Sequence, residues 1–280
     1  STGSVMISYW NSLADFGQFD FMLNALLGTI LTALICGILS PLIIARRYAL
    51  IGPAISHSTI LGVSSALVFF SFSDSLPIFF TTLGITSILV LFLARSTFRQ
   101  PLPSDSLIGI FFTATMGIGI MIHHLFANNQ GDLLSFLFGN ILLIAPTDIT
   151  ILVVLLLMTA PIILIPLKKW VFLCCDPEGA EVAGVPVGIF HYTLFLLLTL
   201  VIVASIKIAG TVLINTVLLV PGVVGLKLGS NYRQTFLISA LFALLSSVFA
   251  ISIANWQGLP PGATLAVVQF LLLALFSRSW

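Results

Sequence analysis

The stretch RRYALIGPAISHSTILG, Arg46 to Gly62, places two arginines at the end of one apolar run and a proline at the start of the next. That second run carries Pro53, Ser56, His57, Ser58 and Thr59 within seven positions. If the run crosses a membrane, an ionisable imidazole inside it is costly and marks a functional site by default. Reading the stretch therefore decides both what the runs are and which residues inside them matter.

Composition settles the first point. The chain has 280 residues, 59% hydrophobic and only 7% charged, with a mean hydropathy of +1.20. A soluble domain carries about a quarter charged residues, so this chain cannot solvate a globular surface. Apolar runs of about 20 residues span a bilayer as helices, whereas membrane strands would alternate in polarity. The expected fold is all-α, a polytopic transmembrane bundle. A net charge of +1 offers nothing to nucleic acid. Cys36 lies in an apolar run, and the adjacent Cys174 and Cys175 read as free thiols, so no disulfide framework is expected. Residues 1–19 are set apart as an N-terminal segment whose opening STGSV reads as a vector remnant, and no cleavable signal peptide is expected there. Residues 20–280 form one transmembrane domain.

Apolar segments fall at about 21–45, 50–72, 77–94, 106–126, 148–166, 188–206, 210–226, 235–254 and 262–277. Nine helices follow, or eight if one of the closely spaced pairs is a single element. Strict alternation with the N-terminus outside places Arg46, Arg47, Arg95, Arg99, Lys168, Lys169, Lys227, Arg233 and Arg278 inside, leaving only Lys207 outside. That is the asymmetry expected of cytoplasmic loops.

Two connections are more than turns. Asn128 to Ile144 is half apolar and reads as a re-entrant or interfacial piece. Lys168 to Val187 is the longest inner loop, and it carries a compact helix signature. Asp176 suits an N-cap, Pro177 the first helical position, Glu178 and Glu181 the positive N-terminal end, and Gly184 a left-handed stop. A capped two-turn helix in a membrane protein's loop is either a docking element or an ordinary ordered loop.

Within the membrane, His57 is the one histidine well inside a span. Imidazole is the commonest metal ligand among side chains; the alternative is a packed histidine bonded to a neighbouring helix. Pro53 lies one turn before it and is harmless in a first helical turn. Small residues at Gly62, Ser64 and Ser65 let a helix approach closely, so this run faces protein or a translocation path. Asn215 and Thr216 stand at mid-depth in the seventh segment, followed by Pro221 and Gly222. No P-loop, nucleophile-elbow, zincin or Cys-x-x-Cys pattern occurs, so no ATPase or other catalytic constellation is expected. Ser56 and Ser58 lie off the His57 face of a helix, which argues against a serine–histidine dyad. No Asp or Glu stands at mid-depth, which argues against a stand-alone transporter driven by an ion gradient.

Five stretches, LIGPAISHSTILGV, LLSFLFGNILLIAPTD, CDPEGAEVAGVPV, IKIAGTVLINTVLLVPGV and GLPPGATLAVV, occur in that order. Together they resemble the membrane permeases of bacterial ABC importers for divalent transition metals, over nearly the whole chain from residue 20. The resemblance implies a multi-pass, type II-like permease of the inner membrane that transports manganese, zinc or iron and holds no permanent cofactor. It implies a pair of cytoplasmic ATPases, an extracytoplasmic metal-binding protein, and a second permease chain within the membrane lipid. The helix carrying Asp176, Pro177, Glu178, Glu181 and Gly184 becomes the element coupled to the ATPase. His57 becomes a metal ligand, with Pro53, Ser56, Asn215 and Thr216 along the path. The runner-up within this class is a permease for iron chelates or cobalamin, whose usual chain is longer.

The chain departs from the family pattern where the ion would bind. The pattern is Gly-Asp-Ala-x-Ser-His, and here it reads Gly52-Pro53-Ala54-Ile55-Ser56-His57. Gly258 also stands where an Asp is frequent. Three explanations are open: pairing with an unlike permease that keeps the acid, an altered or transient metal contact, or a subunit that is only structural. The first is preferred, with a homodimer as the alternative.

Overall fold

The structure, a computed structural model, describes residues 20–70, 75–98, 104–126 and 146–277. Among these residues every regular element is a helix. In chain order they are α1 (Asp20–Ala45), α2 (Ile51–Phe69), α3 (Ser75–Thr97), α4 (Ser104–Phe126), α5 (Pro146–Leu164), α6 (Leu167–Cys175), α7 (Pro177–Val182), α8 (Val187–Leu228), α9 (Tyr232–Gln257) and α10 (Pro261–Ser277). Seven helical spans are long and apolar enough to cross a membrane, and Leu213–Leu228 and Pro261–Leu275 are shorter apolar helices. These nine pieces correspond to the nine apolar segments of the sequence. The piece from Asn128 to Ile144 lies outside the described residues.

The closely spaced sixth and seventh segments are two helices that follow each other directly in α8, separated by a break at Gly210 (φ 68, ψ 170). That conformation is open to glycine and closed to nearly every other residue, so the break is written in the sequence. It divides α8 into a first piece ending at Ile206 and a second piece running from Leu213.

α1 and α8 form the centre. α1 packs on α8, α9 and α5, while α2 packs between α4, α3 and α8. With lipid outside, hydrophobic exclusion cannot hold helices together, so close backbone approach and interhelical hydrogen bonds must. The α1–α8 seam does both. Pro221 has no N–H to continue the helix ladder, and beside it the Ser40 hydroxyl enters the backbone of α8. It accepts from Gly222 N at 2.6 Å and donates to Leu219 O at 3.3 Å. A methyl group at Gly222 would lie 2.5 Å from Ser40 Oγ and 2.6 Å from its carbonyl oxygen. On the other side of α1, a methyl at Gly37 would lie 2.9 Å from the Ala243 side chain of α9.

The inner loop is more ordered than its sequence suggests. Lys168 to Cys175, read above as loop, belongs to α6. Leu167, Trp170 and Leu173 form its buried face, and Lys168 and Lys169 are exposed. Pro166 cannot donate to the carbonyl four residues back, and the Trp170 indole supplies that donor, reaching Ile162 O at 3.1 Å. α7 follows at once. The Asp176 carboxylate accepts from Gly179 N at 2.9 Å, Pro177 takes the first turn, and Gly184 (φ 81) closes the helix. Gly184 N bonds to Glu181 O and Val185 N to Ala180 O, the paired bonds of a Schellman stop. Arg47 (φ 58) ends α1 in the same way, with Tyr48 N on Ile43 O, although an arginine stands where glycine is usual.

Two outcomes follow for purified protein. Gly222→Ala lowers the midpoint of thermal unfolding in detergent, because Ser40 and its backbone cannot both stay in place; Gly84→Ala, with nothing within 4 Å of the added methyl, leaves it unchanged or raises it. Trp170→Phe keeps the ring but strands the Ile162 carbonyl, at a cost of about 1–3 kcal/mol, read as an earlier melt.

Candidate functional site

The polar cluster that opens α2 separates into two kinds of residue. The hydroxyls of Ser56, Ser58 and Thr59 return to their own helix, donating to Gly52 O at 2.8 Å, Ile55 O at 2.8 Å and Ile55 O at 2.9 Å. Such back-bonding satisfies a hydroxyl without a partner helix. His57 differs. It is half-buried, its ring stands edge-on to Phe112 of α4 with centroids 4.9 Å apart, and its Nδ1 is buried with no hydrogen-bond partner. Neither adjacent serine bonds to the imidazole, which removes the dyad reading. Pro53 occupies the first turn of α2, where the Ala54 N–H already bonds to Leu50 O at 3.0 Å. The proline therefore costs the helix nothing.

Ser56 and Asn215, 159 residues apart, come together. The Ser56 hydroxyl lies 3.3 Å from Asn215 Oδ1, and a methyl at Gly52 would lie 2.9 Å from the same oxygen. Gly52 is the opening that lets the second piece of α8 lie against the start of α2. Thr216 is half-buried beside Asn215. His57 does not join this contact but faces α4. Among the described residues no group of three or more His, Cys, Asp or Glu is arranged to hold a metal ion.

Asp176, Pro177, Glu178, Glu181 and Gly184 sit apart from this cluster, on and around α7. Pro177, Glu178 and Glu181 line a cleft of about 200 Å³ together with Arg46, Tyr48 and His191. α7 therefore lies beside the turn that leads into α2. Nε and Nη2 of Arg46 are buried without hydrogen-bond partners. Burial pushes the Tyr48 hydroxyl above its ordinary range, with the Arg46 guanidinium pulling it down. Burial likewise raises the Cys174 thiol against the same pull. Arg46 thus carries its charge against α6 and the α1–α2 turn.

His191 is the residue that sequence reasoning left without a place. Its Nε2 lies 2.9 Å from Ala94 O and 3.4 Å from Thr97 Oγ1, and its ring packs against Phe195 at 4.7 Å and Tyr48 at 6.3 Å between centroids. It ties the end of α3 to the start of α8 and to the α1–α2 turn. Its only sequence signal is its position beside Tyr192 near the start of an apolar run.

Residues 18–278 match the ABC 3 transport family. The chain is 31% identical over 258 residues to the manganese transport system membrane protein MntC of Halalkalibacterium halodurans, spanning 92% of this chain and 87% of that protein. It is 28% identical over 264 residues to the manganese transport system membrane protein MntB of Synechocystis, spanning 94% and 84%. Among solved structures, PsaBC from Streptococcus pneumoniae in complex with Fab superposes with a TM-score of 0.81 at 26% identity, covering 95% of this chain and 94% of that one. The fold, the order of its helices and a match over nearly its whole length place this chain in the ABC 3 transport family.

Proposed function

We propose that this chain is the permease subunit of an ATP-driven importer of a divalent transition metal ion, manganese first among manganese, zinc and iron. The observation that carries the reading is the family match over residues 18–278, with relatives named for manganese transport. The permease is a multi-pass protein of the bacterial inner membrane. The chain has no P-loop, so a cytoplasmic ATPase pair supplies ATP hydrolysis and an extracytoplasmic binding protein delivers the ion.

His57 is the ligand this chain offers. A buried imidazole nitrogen without a partner is unfavourable in a low-dielectric interior. It is supplied with one when the ion, or a group of a second permease chain, completes the path. Pro53, Ser56, Asn215 and Thr216 shape that path without binding charge.

The coupling runs through α7. Closure of the ATPases pushes α7 toward the cleft it shares with Arg46 and Tyr48, and the α1–α2 turn passes the movement to the start of α2. The Ser56–Asn215 contact carries it to the second piece of α8, which the break at Gly210 frees from the first. His57 then changes its exposure to the two sides.

The test is metal uptake into vesicles holding the complete complex. His57→Ala is expected to reduce ATP-driven manganese uptake by about tenfold or more, since even supporting residues of metal sites act on that scale, while the ATPase still co-purifies. Asp176→Ala, which removes the cap of α7 at a cost of about 1 kcal/mol, is expected to weaken ATPase association instead. Uptake that proceeds without ATP would overturn the ABC mechanism. Full uptake by His57→Ala would remove His57 from the path.

A further inference from the structure

α1 packs on both α5 and α9, but those two helices scarcely touch each other. Where the end of α5, the turn into α6 and the start of α9 meet beside α1 lies a groove of about 640 Å³, within the range of about 300–1,000 Å³ that holds small ligands. Ile38 of α1 and Phe236 of α9 line its inner side, and both are buried. Leu164, Ile165 and Leu237 line the outer part, and they are among the exposed large apolar residues of the chain, with Ile165 83% exposed.

One end of the groove has a different chemistry. The chain turns at Pro166, and α6 brings Lys168 and Lys169 to the groove, while α9 starts there with Tyr232 and Arg233. Arg233 Cζ lies 5.9 Å from the centroid of the Tyr232 ring. Among the described residues, no Asp or Glu lines the groove. All three cations are exposed, at the end of the bundle where charge asymmetry places the cytoplasm.

We propose that this groove binds one anionic glycerophospholipid of the cytoplasmic leaflet, its phosphate held by Lys168, Lys169 and Arg233 and an acyl chain lying on Ile38, Phe236 and Leu237. Charge complementarity selects the anionic headgroup, as basic pockets between transmembrane helices do elsewhere. The apolar length of the groove selects a lipid over a free phosphate. Tyr232 sits where an amphipathic ring marks the membrane–water boundary. The bound lipid fills a cleft that would otherwise leave α5 and α9 unsupported on either side of α1.

Native mass spectrometry of the delipidated full complex, titrated with phosphatidylglycerol or phosphatidylcholine, tests this. The K168Q/K169Q/R233Q variant is expected to bind phosphatidylglycerol more than tenfold more weakly, at about fivefold per charge removed, with phosphatidylcholine binding unchanged. Leu237→Trp, which fills the groove and leaves the cations in place, is expected to weaken phosphatidylglycerol as well. Unchanged phosphatidylglycerol binding in the triple variant overturns the proposal. So does retention in Leu237→Trp, which would mark a surface headgroup contact without a groove. Cross-linking of Leu237→Cys to a second permease chain in native membranes also overturns it, because the groove would then be a protein interface. The lipid readout is independent of uptake, so it stands or falls apart from the metal assignment.

Discussion

The fold depends on one side chain entering a neighbouring backbone. The hydroxyl of Ser40 accepts from Gly222 N and donates to Leu219 O, beside the proline that interrupts α8. In water a serine could find such partners anywhere, and the bond would be worth little. Inside a bilayer the alternatives are absent, and α1 and α8 are held at a separation that only Gly222 permits. The same economy recurs where Gly37 meets Ala243, and where Gly62 meets Thr82 and Thr86 of α3. At these glycines the helices are packed backbone to backbone, because such contact replaces the hydrophobic driving force that lipid removes.

What could be read from the sequence follows this division. The nine apolar segments were legible because length and hydropathy are properties of each segment alone. The break at Gly210 was visible as a gap between segments, and the caps of α7 at Asp176 and Gly184 were visible because capping is local. α6 was not, because two lysines interrupt its buried face, Leu167, Trp170 and Leu173, and the residues from Lys168 on read as loop. Nor was Ser40. Nothing near residue 40 indicates that its partner lies 182 positions away, on a helix whose proline creates the need. The inward packing of His191 was likewise hidden, since a histidine near the start of a span looks the same whether it faces water or an aromatic wall.

The candidate site shows the same contrast. Its residues could be named from their place inside the spans and from the family resemblance, but not which of them meet. Ser56 turns to Asn215 and ties α2 to α8. His57, the next residue, turns about 100° away around the helix and meets α4. The cluster that seemed too polar for a span is therefore mostly self-satisfied, with three hydroxyls bonded to their own helix and one imidazole nitrogen left unpaired. That unpaired nitrogen is why His57 is the proposed ligand, while the functional reading itself rests on the family match over residues 18–278.

The charge of the cargo bears on how many unlike chains the path needs. A divalent ion moved into a low-dielectric path loses hydration that neutral ligands replace only in part. A carboxylate beside the imidazole would offset some of that charge, but here Pro53 stands one turn before His57, and the chain offers one neutral donor. Two copies of this chain would offer two imidazoles and still leave both positive charges uncompensated. A second permease with an acid at the position of Pro53 would supply the missing charge and leave this chain to contribute His57. The proline fits that division of labour. In the first helical turn it needs no hydrogen-bond partner, and it adds no charge beside Gly52 and Ser56, which meet Asn215 of α8. Under the proposed function, proline at this position leaves the start of α2 intact and gives the path no carboxylate, which favours pairing with a permease chain that carries the acid.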